Sequence, residues 1–174
     1  MKKKFILASP FFLFLVVVLL GTTALFNGGK EGIEEKLRSG KEVMMPEFSL
    51  PELLDSKATI SNSDLMGKYS LINVFASWCS VCAAENDLLM RIAKEGKIDV
   101  YGIAWRDIQK NTKQYLANNG NPYLKVGIDS RGSFSKLLSV SGTPESFLVD
   151  PNGRIVHYWY GAIDEEFFRK WHTQ

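Results

Sequence analysis

Apolar and polar positions along the chain fall into distinct regimes. Phe5 to Phe26 carries no charge; at about 22 residues it is long enough to cross a hydrocarbon core. Asn27 to Met45 is polar, charged and punctuated by glycine, which predicts a tether with a short helix around Gly32 to Arg38. After Pro46 the apolar runs shorten. Phe48 and Leu50 alternate with polar neighbours as in an edge strand, and Thr59-Ile60-Ser61 is its candidate partner. Ser63 or Asp64 starts a turn of helix before the loop at Met66-Gly67-Lys68. Leu71 to Ala76 is a continuous run rich in β-branched and aromatic residues, the signature of a strand buried on both faces. Val81, Leu88, Leu89, Ile92 and Ala93 then follow at helical spacing, with Glu85, Asp87 and Arg91 among them.

Ile98 to Ala104 reads as a second buried strand, and Ile108 to Asn119 as a helix stopped by Asn118-Asn119-Gly120. Asn121-Pro122-Tyr123 is a turn, Lys125 to Ile128 a short strand, and Phe134 to Leu138 a short helix. Ser146 to Val149 and Ile155 to Tyr160 form a hairpin through Asp150-Pro151-Asn152-Gly153. Glu165 to His172 closes the chain with a helix that buries Phe167, Phe168 and Trp171. Strands separated by helices, then a hairpin and a helix, predict an α/β sandwich with parallel pairing first and antiparallel pairing last.

Composition narrows this further. A chain of 174 residues with 45% hydrophobic content can build one sizeable core. Net charge is only +2, with no long basic block beyond Lys2 to Lys4, which argues against nucleic-acid binding. Those lysines precede the apolar segment, so the N-terminus is expected in the cytoplasm and the rest of the chain outside. Thr22-Thr23-Ala24 offers a small-residue cleavage site, but the segment exceeds the 7–15 residues or so of a signal-peptide core. Length favours a retained anchor over a cleaved signal.

The chemistry sits where the first buried strand meets its helix, at Trp78-Cys79-Ser80-Val81-Cys82. A cysteine in the first helical turn meets unpaired N–H groups and the positive end of the helix dipole. Such an environment lowers a thiol pKa from about 8.5 into roughly the 3.5–7.5 range. Cys79 is therefore the candidate nucleophile. Cys82 lies one turn deeper on the same face, within about 5–6 Å, the separation a disulfide needs. It can resolve a mixed disulfide formed on Cys79. A zinc site would need four ligands, whereas the chain has two cysteines and two distant histidines, His157 and His172. A purely structural bridge across two residues closes too short a loop to stabilise much. No metal and no cofactor beyond the redox-active Cys79–Cys82 pair is expected.

The order of elements resembles the thioredoxin-like superfamily, and within it the membrane-tethered CcmG/DsbE thiol–disulfide proteins of cytochrome c maturation. Three segments carry the resemblance: Asn73-Val74-Phe75-Ala76 leading into Trp78-Cys79 and Cys82; Gly142-Thr143-Pro144-Glu145-Ser146 through Asp150; and Tyr101-Gly102-Ile103 through Trp105-Arg106-Asp107, with Gly120-Asn121-Pro122-Tyr123. It implies residues 1–4 in the cytoplasm, a transmembrane signal-anchor at 5–26, a polar linker at 27–44 and a periplasmic thioredoxin-like domain at 45–174. That domain would be a mixed central sheet flanked by helices, with an N-terminal edge-strand extension.

The resemblance also implies roles. Pro144 would be cis opposite the cysteines and exclude metal, and Thr143 would pair its backbone with an incoming polypeptide; the residues alone equally allow an ordinary loop proline. Trp78 would shield Cys79 and shape the docking surface, while Trp105, Trp159 and Trp171 read as packing residues. By residue type Glu85 is a solvated helix carboxylate; the resemblance makes it a partly buried base beside Cys82, in place of the aspartate that thioredoxin carries where this chain has Asn73. Glu145 is either a surface turn residue or an acidic group that tunes a thiol and repels unsuitable partners. Ser80-Val81 departs from the family, where a proline often separates the cysteines, and Thr143 stands where alanine is frequent; both bear on reducing strength.

The function so implied is a reductant in the bacterial inner membrane, single-pass with its C-terminal domain in the periplasm. It would reduce apocytochrome c, or thiol proteins of cytochrome c maturation, before haem attachment. A membrane thiol reductant of the DsbD/CcdA type would re-reduce it. Alternatives are a tethered reductase for other envelope or spore-coat proteins, an oxidant, and a module that binds apoprotein without turnover. A one-cysteine peroxidase is disfavoured, because those enzymes place threonine where Ala76 stands.

Overall fold

The computed structural model describes residues 11–19, 32–166 and 169. The chain divides into two compact units, Met1–Glu31 and Gly32–Gln174. In the first, residues 11–19 form helix α1, with Phe11, Phe12, Leu13 and Phe14 among its exposed side chains. Among the described residues no helix is long and apolar enough to cross a membrane; the rest of the expected 5–26 anchor lies outside them.

The second unit begins with helix α2 (Ile33–Arg38) and strands β1 (Ser49–Pro51) and β2 (Thr59–Ser61), which pair antiparallel as the alternation around Leu50 predicts. A 3₁₀ turn, Asn62–Leu65, follows, closed by a reciprocal Ser61–Asp64 capping box. Then come β3 (Ser70–Phe75), α3 (Ser80–Glu95), β4 (Asp99–Trp105), α4 (Gln109–Asn119), β5 (Lys125–Asp129), α5 (Ser133–Leu137), β6 (Glu145–Val149) and β7 (Ile155–Tyr160). The expected closing helix is described only at residues 165, 166 and 169, so the burial of Phe167, Phe168 and Trp171 falls outside the described residues.

Five strands form one sheet in the order β5-β4-β3-β6-β7. β3 pairs parallel with β4 and antiparallel with β6, β4 parallel with β5, and β6 antiparallel with β7. All six residues of β3 are buried, because it is the central strand and both sheet faces are covered. Leu71 and Phe75 point into a cluster with Leu88, Leu89 and Ile92 of α3 and Leu116 of α4. Ile72 and Val74 point the other way, against Leu50, Ile60, Phe134 and Phe147. This alternation places Asn73 on the α3 side.

Two glycines permit close approach. A Cβ on Gly102 of β4 would lie 2.8 Å from the Tyr123 ring and 2.9 Å from that of Phe75. Its absence lets Tyr123 stack on Phe75, ring centroids 4.8 Å apart, with the Tyr123 hydroxyl under β3. On the opposite face a Cβ on Gly127 would meet Ile60 at 2.7 Å, so glycine lets the β1–β2 hairpin sit against β5.

Candidate active site

β3 ends at Phe75, and the chain turns through Ala76–Trp78 into α3. Cys79 is the N-cap of α3, and its Sγ accepts a hydrogen bond from the Cys82 amide at 3.1 Å. The sulfur thus takes the place that a serine or aspartate oxygen fills in other helices, and once the disulfide is reduced that donor together with the helix dipole favours a thiolate there. No acidic residue stands in the first turn to oppose this. Cys79 and Cys82 are joined as a disulfide with Cα atoms 5.3 Å apart, within the separation that their spacing predicts. Cys79 is 7% exposed and Cys82 2%, so the outer sulfur faces attack and the inner one lies beneath it.

Glu85 lies one turn past Cys82 and is 4% exposed, not a solvated helix carboxylate. Its Oε1 accepts from Asn73 Nδ2 at 2.9 Å and its Oε2 from the Ile163 amide at 3.0 Å. Burial pushes the carboxyl up to about 7, outweighing those two hydrogen bonds. A group with that pKa can hold or release a proton near neutral pH. Asn73 is the hub behind it: Nδ2 also donates to Ser146 Oγ at 3.0 Å, and Oδ1 accepts from the Tyr123 hydroxyl at 2.8 Å. Burial, with Tyr115 and Glu85 nearby, keeps that hydroxyl protonated. Asn73 and Tyr123 belong to the segments that carry the family resemblance, but their role as supports of Glu85 has no local signal.

Across the cysteines the Thr143–Pro144 peptide bond is cis, and the Thr143 carbonyl oxygen stands 3.5 Å from Cys79 Sγ. Among the described residues Thr143 Oγ1 has no hydrogen-bond partner and is buried, while Pro144 is buried beside it. Trp78 is 61% exposed, as a docking surface requires. Its ring centroid lies 6.3 Å from that of Trp105, and the Arg106 guanidinium sits 5.0 Å from the Trp105 centroid. Trp105 therefore supports the docking aromatic as well as the core. Arg106 has φ +47°, a left-handed conformation uncommon for a side-chain-bearing residue.

Two expectations need correction. Glu145 does not face a docked partner: it is 1% exposed, as the first residue of β6 beneath the proline loop. Its Oε1 accepts from the Ser141 and Gly142 amides at 2.8 and 2.9 Å and from Ser141 Oγ at 3.0 Å, and its Oε2 from Tyr158 at 3.1 Å. It holds the loop's shape from within. Val81 is not a core position of α3 either; the helix begins only at Ser80, and its first turn turns Val81 outward.

Asp107 ends one of the segments that carry the resemblance, and the structure gives it a role that the sequence does not assign. Asp107 is buried, and its carboxylate accepts from the Ser77 amide at 2.6 Å, Ser77 Oγ at 2.9 Å and the Ile108 amide at 2.7 Å. It pins the loop that leads to Cys79 against the start of α4. The serine immediately before Trp78 is the available hint, since a buried carboxylate needs such donors.

The Redoxin family model matches residues 38–170. The thiol:disulfide interchange protein DsbE of Xylella fastidiosa strain 9a5c is 34% identical over 152 residues, covering 87% of this chain and 76% of its own. That of Haemophilus influenzae is 37% identical over 170 residues, covering 95% and 91%. Among solved structures, a DsbF homologue from Corynebacterium diphtheriae superposes with a TM-score of 0.67 at 20% identity, over 77% of this chain and 87% of that one.

Proposed function

Because this chain belongs to the Redoxin family and, within it, to the thioredoxin-like CcmG/DsbE thiol–disulfide oxidoreductases, we propose that it works as a membrane-anchored reductant facing the periplasm. Its clients are apocytochrome c or thiol proteins of cytochrome c maturation, which it reduces before haem attachment. The observation that carries the reading is the buried Glu85 carboxyl behind a cysteine pair whose outer sulfur caps α3. An acidic group there disfavours negative charge on the inner sulfur, which tilts the pair toward the disulfide and so toward giving electrons away.

In the reduced protein the Cys79 thiolate attacks one sulfur of the client disulfide. An S–S bond to Cys79 forms, the client S–S bond breaks, and the departing client thiolate takes a proton from solvent. Glu85 then accepts the Cys82 proton, and Cys82 attacks Cys79 Sγ. The Cys79–Cys82 disulfide forms, the second client thiolate leaves, and two electrons have passed to the client. Trp78 and the Thr143–Pro144 loop align the incoming chain so that its sulfur meets Cys79. The exchange uses the two cysteines and needs no other cofactor. A membrane dithiol of the DsbD/CcdA type reverses the cycle, and the uncharged 5–26 segment keeps the domain near it.

Cys82→Ser stops the cycle after the first attack. Expressed in cells and captured under acid quench, it should carry mixed disulfides to apoproteins with haem-attachment cysteines or to maturation thiol proteins. Capture of unrelated envelope proteins alone would refute the cytochrome assignment, and a Cys79–Cys82 pair found oxidised at steady state would refute the reducing direction.

A further inference from the structure

A shallow, open cleft of about 430 Å³ lies beside the nucleophile's loop, lined by Ser77 and Trp78 on one side and by Asn111, Gln114, Tyr115, Asn118 and Asn119 of α4 on the other. Asn111, Gln114 and Asn118 recur at helical spacing and form one exposed stripe. Among the described residues nothing hydrogen-bonds their side-chain amides, whereas Asn119 donates to the Tyr115 carbonyl at 2.9 Å. Among the described residues no charged side chain lines the cleft, although α4 carries Lys110 and Lys113 outside it. The walls are fixed relative to each other, because Asp107 bonds Ser77 on one side and the Ile108 amide at the start of α4 on the other.

A carboxamide offers both a donor and an acceptor, as a peptide group does, and no net charge. Asn111 and Asn118 lie seven positions apart on the helix, a rise of about 10 Å, the span of roughly three residues of extended chain. Trp78 belongs both to this cleft and to the docking surface around Cys79, so a client lying over the cysteine continues into it.

We propose that the Asn111–Gln114–Asn118 stripe is a subsite for the client's extended, uncharged main chain next to its reactive cysteine, read through backbone hydrogen bonds. This rests on the reductase reading above. It would let one protein serve clients that share a cysteine pair but differ in flanking side chains.

The test uses the full chain in detergent, reduced, with two probes: a short cyclic peptide disulfide that ends at its cysteines, and the same peptide extended on both sides by three uncharged residues. For the triple variant Asn111→Ala/Gln114→Ala/Asn118→Ala, kcat/KM on the extended peptide should fall about tenfold, through KM, with the unextended peptide little affected. Lys110→Ala/Lys113→Ala, on the same helix outside the cleft, should leave both rates as they are. Equal rates of the triple variant and the parent protein on the extended peptide would overturn the subsite alone. If the parent protein reduces neither peptide, the reductase reading fails and the subsite fails with it.

Discussion

At Glu85, burial and ionisation compete. The carboxyl of the folded, oxidised protein ionises at about 7, whereas an ordinary glutamate ionises at 4.5. Folding therefore favours the protonated form: the contribution is fully present below 4.5 and is lost as pH rises through about 7. The loss is on the order of 3 kcal/mol. Glu85→Gln should flatten that stretch of the stability-against-pH curve, measured by denaturant unfolding of the oxidised form. In the reduced protein it should slow release of the trapped client about a hundredfold and flatten the pH dependence of that step. Glu145 is a different kind of buried acid, tied down by four donors. Glu145→Ala orphans the Ser141 and Gly142 amides at about 1–3 kcal/mol each, seen as a lower unfolding midpoint, and Glu145→Gln, which keeps an acceptor, should recover most of it.

Among elements, β3 and α3 do most to build the site, and they are also the most legible. The apolar run of Leu71–Ala76, interrupted only by Asn73, marks a central strand, and the cysteine spacing at the start of the next helix places both sulfurs on one face. The turn at Asp150–Gly153 predicts the β6–β7 hairpin for equally local reasons. What local pattern does not show is which polar groups the sheet buries together. Asn73 meets Tyr123 and Ser146 across 50 and 73 residues of chain, and only the pairing of β3 with β4 and β6 brings them near. Glu145 misleads for the same reason: beside a loop proline it looks exposed, and its burial is imposed by β7 and Tyr158. Gly102 is the packing counterpart. Gly102→Ala should force the Tyr123 and Phe75 rings apart and cost about 1–3 kcal/mol in unfolding free energy. Gly32→Ala, whose methyl meets nothing within 4 Å, should cost less, about 1 kcal/mol at most, since it weakens only the N-cap of α2.

For the whole molecule, the division at Gly32 matters most. The unit from Gly32 onward contains the five-stranded sheet, both apolar clusters and every group of the site. A chain reduced to residues 32–174 should therefore unfold at the same denaturant midpoint as the full protein and react equally fast with a small disulfide. A lower midpoint would mean that the first unit contributes to the fold. Uncharged length and preceding lysines speak for an anchor in the first unit, but such signals concern a lipid environment rather than packing within the chain.

The atom that closes the first turn of α3 is also the one that exchanges bonds with clients in the mechanism proposed above. Each change in its covalent state alters how well it can receive the Cys82 N–H, so the main chain itself registers the electron count of the pair. That amide is a built-in gauge: its protection against hydrogen–deuterium exchange should differ among the dithiol, the client-bound intermediate and the closed bridge. A spectroscopist could follow turnover there without attaching any label.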